Sequence, residues 1–196
     1  MNIGIIWDWE GTLADTADIS KYFVNEVRRH MGQEILDDAE YELQARGLFD
    51  YWDSYGQRRQ EALTLFHDLY RDRVTNVILF EAVEKLIKWI YGLGIPQFII
   101  SNKREDTLLA EVSKSTLGSY FKNIVGVQDK DKIQKPHPKM LDKALNGVSL
   151  QKIIMIGDTA LDMQFAKNIG ALSVFVDSPF RAGTGDIQPQ YSFKTH

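Results

Sequence analysis

Short apolar runs that end at polar or glycine residues constrain the fold of this chain more than any other feature. They cover residues 3–7, 98–100, 124–125, 153–156 and 172–176. Unbroken apolar runs of this length are typical of strands that are buried on both faces, as in a parallel sheet. We therefore expect these strands to lie in one parallel sheet.

Segments with helical periodicity separate most of these runs. They cover residues 80–93, 108–117, 138–145 and 160–169. Gly94 and Gly170 follow the first and the last of them, and glycine often ends a helix. Strands that alternate with helices predict an α/β fold with right-handed crossovers.

Residues 14 to 77 interrupt this alternation. Apolar residues at helical spacing begin at Ile19, residues 61–70 again have a helical pattern, and no convincing strand is visible. The sequence therefore predicts an all-helical insert after the first strand. We expect residues 1–14 and 78–196 to form the core and residues 15–77 to form the insert.

Two groups of residues in the insert allow two interpretations each. Tyr51, Trp52 and Tyr55 either line a substrate pocket or pack in the insert's own small core. Arg58 and Arg59 either contact a distal anionic group of a substrate or form a solvated helix face.

Composition narrows the class of protein. The chain has 196 residues, a net charge of -4 and no cysteine, so disulfides and thiolate metal sites are excluded. The charge disfavours nucleic-acid binding. No apolar run approaches the roughly 20 residues that span a bilayer, so we expect no membrane partner and a cytoplasmic location. Residues 183–196 are polar and aperiodic, and we expect them to be disordered.

Polar side chains follow the predicted strands and should gather at one sheet edge. They are Asp8, Glu10, Ser101, Asp158 and Asp162. Ligands of open α/β sheets bind beyond the carboxyl ends of the strands. Carboxylates close together repel each other, and a divalent cation removes that difficulty. Oxygen ligands favour Mg²⁺, and the scarcity of histidine nearby disfavours zinc.

This set of residues is suited to phosphoryl transfer. A carboxylate such as Asp8 can act as a nucleophile and form an aspartyl-phosphate. Lys135 is the best candidate for the cation that offsets charge on the phosphoryl oxygens. Glu10, two residues beyond Asp8, can protonate the leaving oxygen and then deprotonate the attacking water.

Four segments in order resemble the motifs of the haloacid dehalogenase-like hydrolases, of the phosphoglycolate phosphatase-like type with a helical cap. They are Asp8-Trp9-Glu10-Gly11-Thr12-Leu13, Ile99-Ile100-Ser101-Asn102, Lys135-Pro136-His137-Pro138 and Gly157-Asp158-Thr159-Ala160-Leu161-Asp162. The resemblance covers nearly the whole chain. It implies a Rossmann-like core of parallel strands flanked by helices, with a small all-helical cap that closes over it.

The resemblance also implies roles for the site residues and a small phosphorylated metabolite as substrate. Asp8 is expected to be the nucleophile and a ligand of Mg²⁺. The other expected ligands are the backbone carbonyl of Glu10 and the side chains of Asp158 and Asp162. Ser101, Asn102 and Lys135 are expected to bind the substrate phosphate.

Glu10 departs from the family pattern, which usually has Asp at this position. The longer side chain adds a methylene and a rotatable bond, and we expect it still to serve as the acid/base. Three alternatives to a phosphatase stay open: a phosphomutase on the same core, a dehalogenase, and a regulatory protein that has lost turnover. His137 is expected to begin a helix rather than to act in catalysis.

Overall fold

A six-stranded parallel sheet forms the centre of the computed structural model, which describes residues 2–45, 52–73, 77–128, 130–177, 184 and 186–194. The strands, numbered along the chain, are β1 (Ile3–Trp7), β2 (Ala14–Asp15), β3 (Ile78–Leu79), β4 (Gln97–Arg104), β5 (Asn123–Val127), β6 (Lys152–Gly157), β7 (Leu172–Asp177) and β8 (Tyr191–Lys194). The order across the sheet is β5-β4-β1-β6-β7-β8, so β1 has a neighbour on each side. β2 and β3 form a separate antiparallel pair.

Seven α-helices are described. They are α1 (Ala17–His30), α2 (Asp38–Ala45), α3 (Arg59–Arg73), α4 (Val83–Gly92), α5 (Glu105–Lys114), α6 (Lys139–Leu145) and α7 (Ala160–Asn168). No described helix has the length and apolarity needed to cross a membrane. The cytoplasmic location stays a prediction.

Alternation along β1 divides the core into two layers. Ile5 and Trp7 point to one face and pack with residues of α4 and α5, including Ile87 and Leu108. Ile6 points to the other face and packs in a cluster with residues of α6 and α7. Because both faces are covered, every position of the strand except its first is buried, and this explains the unbroken apolar run in the sequence.

The predicted α/β Rossmann-like fold is confirmed, and two local predictions are wrong. Residues 191–194 of the tail, expected to be disordered, form β8 and pair in parallel with β7. The side chain of Gln190 accepts a hydrogen bond from the Ser173 amide (2.7 Å) and so anchors this strand. The strand β2 also lies where no strand was expected, although it has only two residues.

The helices between β2 and β3 pack on each other and on the core. Phe23 of α1 contacts Tyr70 of α3, with ring centroids 4.9 Å apart. The same cluster includes Ala110 of α5, a core helix. The helical content predicted for the insert is therefore present in its described residues.

Trp52 and Tyr55, two of the three aromatic residues considered for a substrate pocket, pack inside the insert. Tyr55 is buried with Val27 and Ala62, and Trp52 packs against them. These contacts favour a role in the insert's small core over a role in a pocket. Tyr51 lies outside the described residues.

Candidate active site

Asp8 lies directly beyond the carboxyl end of the central strand. Trp7 is paired with Ile156 of β6 on one side and with Ile99 of β4 on the other. The Asp8 amide continues the ladder by donating to the Ile156 carbonyl (2.9 Å). β1 and β6 therefore end side by side here, β4 continues on the other side to Arg104, and the Asp8 side chain is buried.

Lys135 joins two of the predicted site residues. Its Nζ lies 2.5 Å from Oδ1 of Asp8 and 2.5 Å from Oδ1 of Asp162. All three side chains are at least nine-tenths buried. Residues that are 127 and 27 positions apart from Lys135 in sequence thus form one charged cluster.

Asp158 completes a group of three carboxylates. Ligand oxygens of Asp8, Asp158 and Asp162 all lie within 4.8 Å of one another. The Thr12 hydroxyl donates to Oδ1 of Asp158 (3.3 Å). The Lys135 ammonium is thus paired with two of three closely spaced, buried carboxylates.

Burial and neighbouring charges shift the pKa values of the site residues. Burial raises the pKa of Asp8 from 3.8 to about 6, and the charges of Asp162 and Glu10 add to the rise while Lys135 opposes it. Burial alone would lower the pKa of Lys135, but the carboxylates of Asp162 and Asp8 raise it above its ordinary value. Lys135 is therefore held as a cation.

A divalent cation fits this group of carboxylates. All the donors are oxygens, as Mg²⁺ prefers, and they converge on one small volume. A bound cation would reduce the repulsion between these closely spaced carboxylates. The residues that would hold it are Asp8, Asp158 and Asp162, together with the backbone carbonyl of Glu10 as the sequence suggested.

Two glycines make room for the carboxylates. A Cβ at Gly157 would lie 2.4 Å from Cγ of Asp162, a distance that no side chain permits. A Cβ at Gly11 would lie 2.0 Å from Oδ2 of Asp158, and Gly11 also has a φ of +79° that disfavours other residues. The glycines of the first and fourth segments are thus required by close approach.

Asp162 also takes part in the cap at the start of α7. Its Oδ2 accepts hydrogen bonds from the Thr159 amide (3.0 Å) and hydroxyl (2.5 Å), and Thr159 in turn caps the start of α7. This capping box holds the Asp162 carboxylate with its other oxygen directed at Lys135. The capping box at the start of α7 therefore positions the Asp162 side chain.

The two predicted phosphate-binding residues on β4 lie near Lys135 in different ways. The Asn102 side chain binds the Lys135 backbone, accepting from its amide (2.7 Å) and donating to its carbonyl (3.1 Å). Ser101 is buried at the same strand end, and its hydroxyl oxygen accepts from the Lys103 amide (3.2 Å). Asn102 thus fixes the segment that carries Lys135.

Glu10 lies in a second buried cluster, which we call the Lys103 cluster and define as Trp9, Glu10, Tyr70, Lys103 and Glu111. The Nζ of Lys103 is 2.7 Å from Oε1 of Glu10 and 2.9 Å from Oε1 of Glu111. It also lies 4.4 Å from the centroid of the Tyr70 ring. The Trp9 indole donates to Oε2 of Glu111 (2.6 Å).

The sequence analysis did not identify Lys103 or Glu111, although both leave a signal. Lys103 is two residues beyond Ser101 on the same strand, so the two side chains share a face. Glu111 lies on the helix stripe that Leu108 and Val112 bury, where an ionised side chain requires a partner. A charged residue on an apolar stripe is the feature that would have revealed the pair.

The remaining sequence candidates lie on the surface. His137 is exposed in the turn before α6, and its Nδ1 accepts from the Lys139 amide (3.2 Å). Arg58 is exposed and pairs with Glu61 (2.9 Å), in agreement with a solvated helix face. Arg59 is exposed as well.

Comparisons with known proteins identify the family. Residues 5–176 match the haloacid dehalogenase-like hydrolases. A phosphoglycolate phosphatase from Pseudomonas savastanoi pv. phaseolicola is 23% identical over 193 residues, which cover 91% of this chain and 71% of the relative. A candidate pyrophosphatase, PpaX, from Caldanaerobacter subterraneus subsp. tengcongensis is 26% identical over 88% of this chain and 80% of the relative.

A comparison with solved structures finds the same fold. A haloacid dehalogenase-like hydrolase from Streptococcus pneumoniae superposes with a TM-score of 0.81 at 20% identity, over 100% of this chain and 94% of that structure. The chain therefore belongs to the haloacid dehalogenase-like hydrolase family. The enzyme class predicted from the sequence, a phosphatase of this type, is confirmed.

Proposed function

We propose that the protein hydrolyses a small organic phosphate monoester in a Mg²⁺-dependent reaction, through an aspartyl-phosphate on Asp8. The observation that carries this proposal is the buried contact of Asp8 with Lys135 beside two further carboxylates. A nucleophile, a fixed cation and a set of oxygen ligands are the parts that phosphoryl transfer requires.

In the first half of the reaction, an oxygen of Asp8 attacks the phosphorus and the bond to the substrate alcohol breaks. Glu10 gives its proton to the departing oxygen. Lys135 and the Ser101 hydroxyl hold the phosphoryl oxygens during transfer. Mg²⁺, when bound, would neutralise charge on these oxygens and on the three carboxylates.

In the second half, water attacks the phosphorus of the aspartyl-phosphate. Glu10, now ionised, takes a proton from this water, and inorganic phosphate leaves as the Asp8 carboxylate is restored. Glu10 ends with the proton that it had at the start. The second half is thus the step that separates a hydrolase from a phosphomutase, which returns the phosphoryl group to a sugar.

The division into domains is part of the proposal. Residues 15–77 form a helical cap over a core of residues 1–14 and 78–196. Two features support these boundaries. β2 and β3 pair the two connecting segments, Ala14 with Leu79 and Asp15 with Ile78. The helix that follows β2, α1, and the helix that follows β3, α4, belong to different hydrophobic clusters. Closure of such a cap would exclude water and select the leaving group.

The substrate is best sought among small phosphorylated metabolites. The relatives named above are a phosphoglycolate phosphatase and a candidate pyrophosphatase. A screen of phosphate release should therefore include 2-phosphoglycolate, pyrophosphate, sugar phosphates, nucleotides and p-nitrophenyl phosphate. It should run with MgCl₂ and with a chelator, beside Asp8→Asn.

We expect release that needs Mg²⁺ and that Asp8→Asn abolishes. Release that is unaffected by chelation and by this substitution would overturn the mechanism. Transfer to a second sugar phosphate without release would favour the phosphomutase. Binding of Mg²⁺ and of phosphate analogues without turnover of any substrate would favour a regulatory protein.

A further inference from the structure

The Lys103 cluster contacts the side chain that the proposed function places in proton transfer. We propose that Lys103 is a positioning residue that holds the Glu10 carboxylate for its acid/base role, an inference that rests on the proposed function. Its Nζ donates to Oε1 of Glu10 over 2.7 Å. The contact is made from the β4 end, on the opposite side of β1 from Asp158.

Lys103 itself is held in one place. Its side chain is only 6% exposed, and it forms an ion pair with Glu111, which is fully buried, at 2.9 Å. The Trp9 indole fixes the other oxygen of Glu111. The face of the Tyr70 ring covers the ammonium, an arrangement that favours a cation. A lysine is normally flexible, but these contacts leave this one with little freedom.

Glu10 needs such support because of its length. Compared with aspartate, glutamate has one more rotatable bond between the backbone and the carboxylate. The Thr16 hydroxyl donates to the same oxygen as Lys103 does (3.1 Å), so two donors converge on Oε1. Loss of position by about 1 Å can cost on the order of 100-fold in rate, so an unsupported glutamate would be a poor acid.

Proton transfer by Glu10 matters most when the leaving alcohol is a poor leaving group. An alkyl phosphate departs as an alkoxide unless it is protonated, whereas p-nitrophenolate departs readily without an acid. A displaced Glu10 should therefore reduce kcat/KM for alkyl esters and affect p-nitrophenyl phosphate much less. A general loss of active-site structure would reduce both equally.

The test compares these two classes of substrate in one charge-balanced variant, Lys103→Met/Glu111→Gln. The double substitution removes the Lys103 ammonium and also the buried Glu111 carboxylate, which would otherwise lose its ion-pair partner. The amide oxygen introduced at position 111 can still accept from Trp9. Glu10 is 24% exposed at its side chain, so it can be hydrated when Lys103 is gone. Lys103→Arg keeps the charge, and Lys88→Met, which removes an exposed lysine of α4, is the matched control.

We expect kcat/KM of the double variant to fall by about 10- to 100-fold for the fastest alkyl ester found in the screen, and by much less for p-nitrophenyl phosphate. Lys103→Arg should recover much of the alkyl activity. Lys88→Met should match wild type with both substrates. Equal losses for the two substrates, or no loss for either, would overturn the proposal.

A second measurement keeps the inference testable if the double variant does not fold. Glu10→Gln already lacks a titratable acid, so adding Lys103→Arg to it should have little further effect on alkyl esters, whereas Lys103→Arg alone should slow them measurably. Independent, additive effects of the two substitutions would overturn the proposal. The Asp8→Asn variant distinguishes failure of this inference from failure of the proposed function. If Asp8→Asn stays active, the proposed function itself fails, whatever the Lys103 variants do.

Discussion

Two buried lysines, Lys135 and Lys103, each lie between two carboxylates, yet their surroundings differ. Lys135 faces Asp8 and Asp162, with Asp158 beside them, so one ammonium stands against three carboxylates. Lys103 faces two carboxylates, those of Glu10 and Glu111.

Neutral donors support carboxylates in both clusters: in the Lys135 cluster Thr12 donates to Asp158 and Thr159 donates to Asp162. In the Lys103 cluster each carboxylate also accepts from an uncharged group, since Thr16 donates to Glu10 and Trp9 to Glu111. In the Lys135 cluster burial raises the pKa of Asp8, and the charges of Asp162 and Glu10 add to the rise. Three buried carboxylates that converge on one volume indicate a place for a ligand, whereas a lysine that joins two carboxylates beside this volume indicates support for a neighbour.

The largest effect should follow loss of Lys135, the lysine in the cluster of three carboxylates. Lys135→Met should lower kcat by roughly 10²- to 10³-fold, because it removes the fixed cation that faces the phosphoryl oxygens. Steady-state phosphate release measures this. The control is Lys139→Met, which removes an exposed lysine at the start of α6 and should behave as wild type. Wild-type turnover in Lys135→Met would remove Lys135 from the mechanism.

The burial of the Asp8 carboxylate should also appear as a cost in the free energy of folding. Because the pKa of Asp8 is raised from 3.8 to about 6, ionising this carboxyl destabilises the metal-free fold. The cost is absent below pH 4, where the carboxyl is protonated in both states, grows as the pH rises, and is complete above pH 6. In a chelator at pH 7, Asp8→Asn should therefore be more stable than wild type, by on the order of 2–3 kcal/mol.

Denaturant unfolding of both proteins between pH 4 and pH 7 tests this expectation. The gap between Asp8→Asn and wild type should close as the pH falls. Mg²⁺ should stabilise wild type, by about 2.7 kcal/mol at 100 times its Kd, and Asp8→Asn less. A gap that does not change with pH, or equal stabilisation of both proteins by Mg²⁺, would contradict the charge argument.

The smallest effect concerns Asn102, whose side chain binds the backbone of Lys135. Asn102→Ala removes two hydrogen bonds to the Lys135 backbone and should lower kcat by about tenfold with little change in KM, because the lysine loses its position. Asn123→Ala removes a comparable contact, to the end of α6, and should leave both constants unchanged. A rise in KM alone would show that Asn102 binds the phosphate directly.

The sequence predicted one of the two clusters. Asp8, Asp158 and Lys135 follow strands or lie in recognisable segments, and parallel strands must bring their carboxyl ends to one edge. The topology of the parallel sheet therefore brings these residues together. Gly11 and Gly157 stand in two of these segments, but the sequence did not predict the close contacts that require glycine there.

The Lys103 cluster depends on packing between elements and was not predicted. Glu111 belongs to a helix, Tyr70 to the insert and Trp9 to the first loop, and no spacing rule joins them. Their meeting requires the orientation of α5 on the sheet and of α3 on α5. For the same reason the sequence raised the length of Glu10 as a difficulty but did not identify the lysine that contacts it.

The central claim is that Asp8 carries the phosphoryl group, and trapping the intermediate tests it most directly. Wild type is mixed with p-nitrophenyl phosphate and MgCl₂, quenched in acid within one turnover, digested at low pH and analysed by mass spectrometry. We expect one phosphoryl group, labile to hydroxylamine, on the peptide that contains Asp8, and none in Asp8→Asn. A phosphoryl group on another residue, or undiminished turnover in Asp8→Asn, would contradict the account.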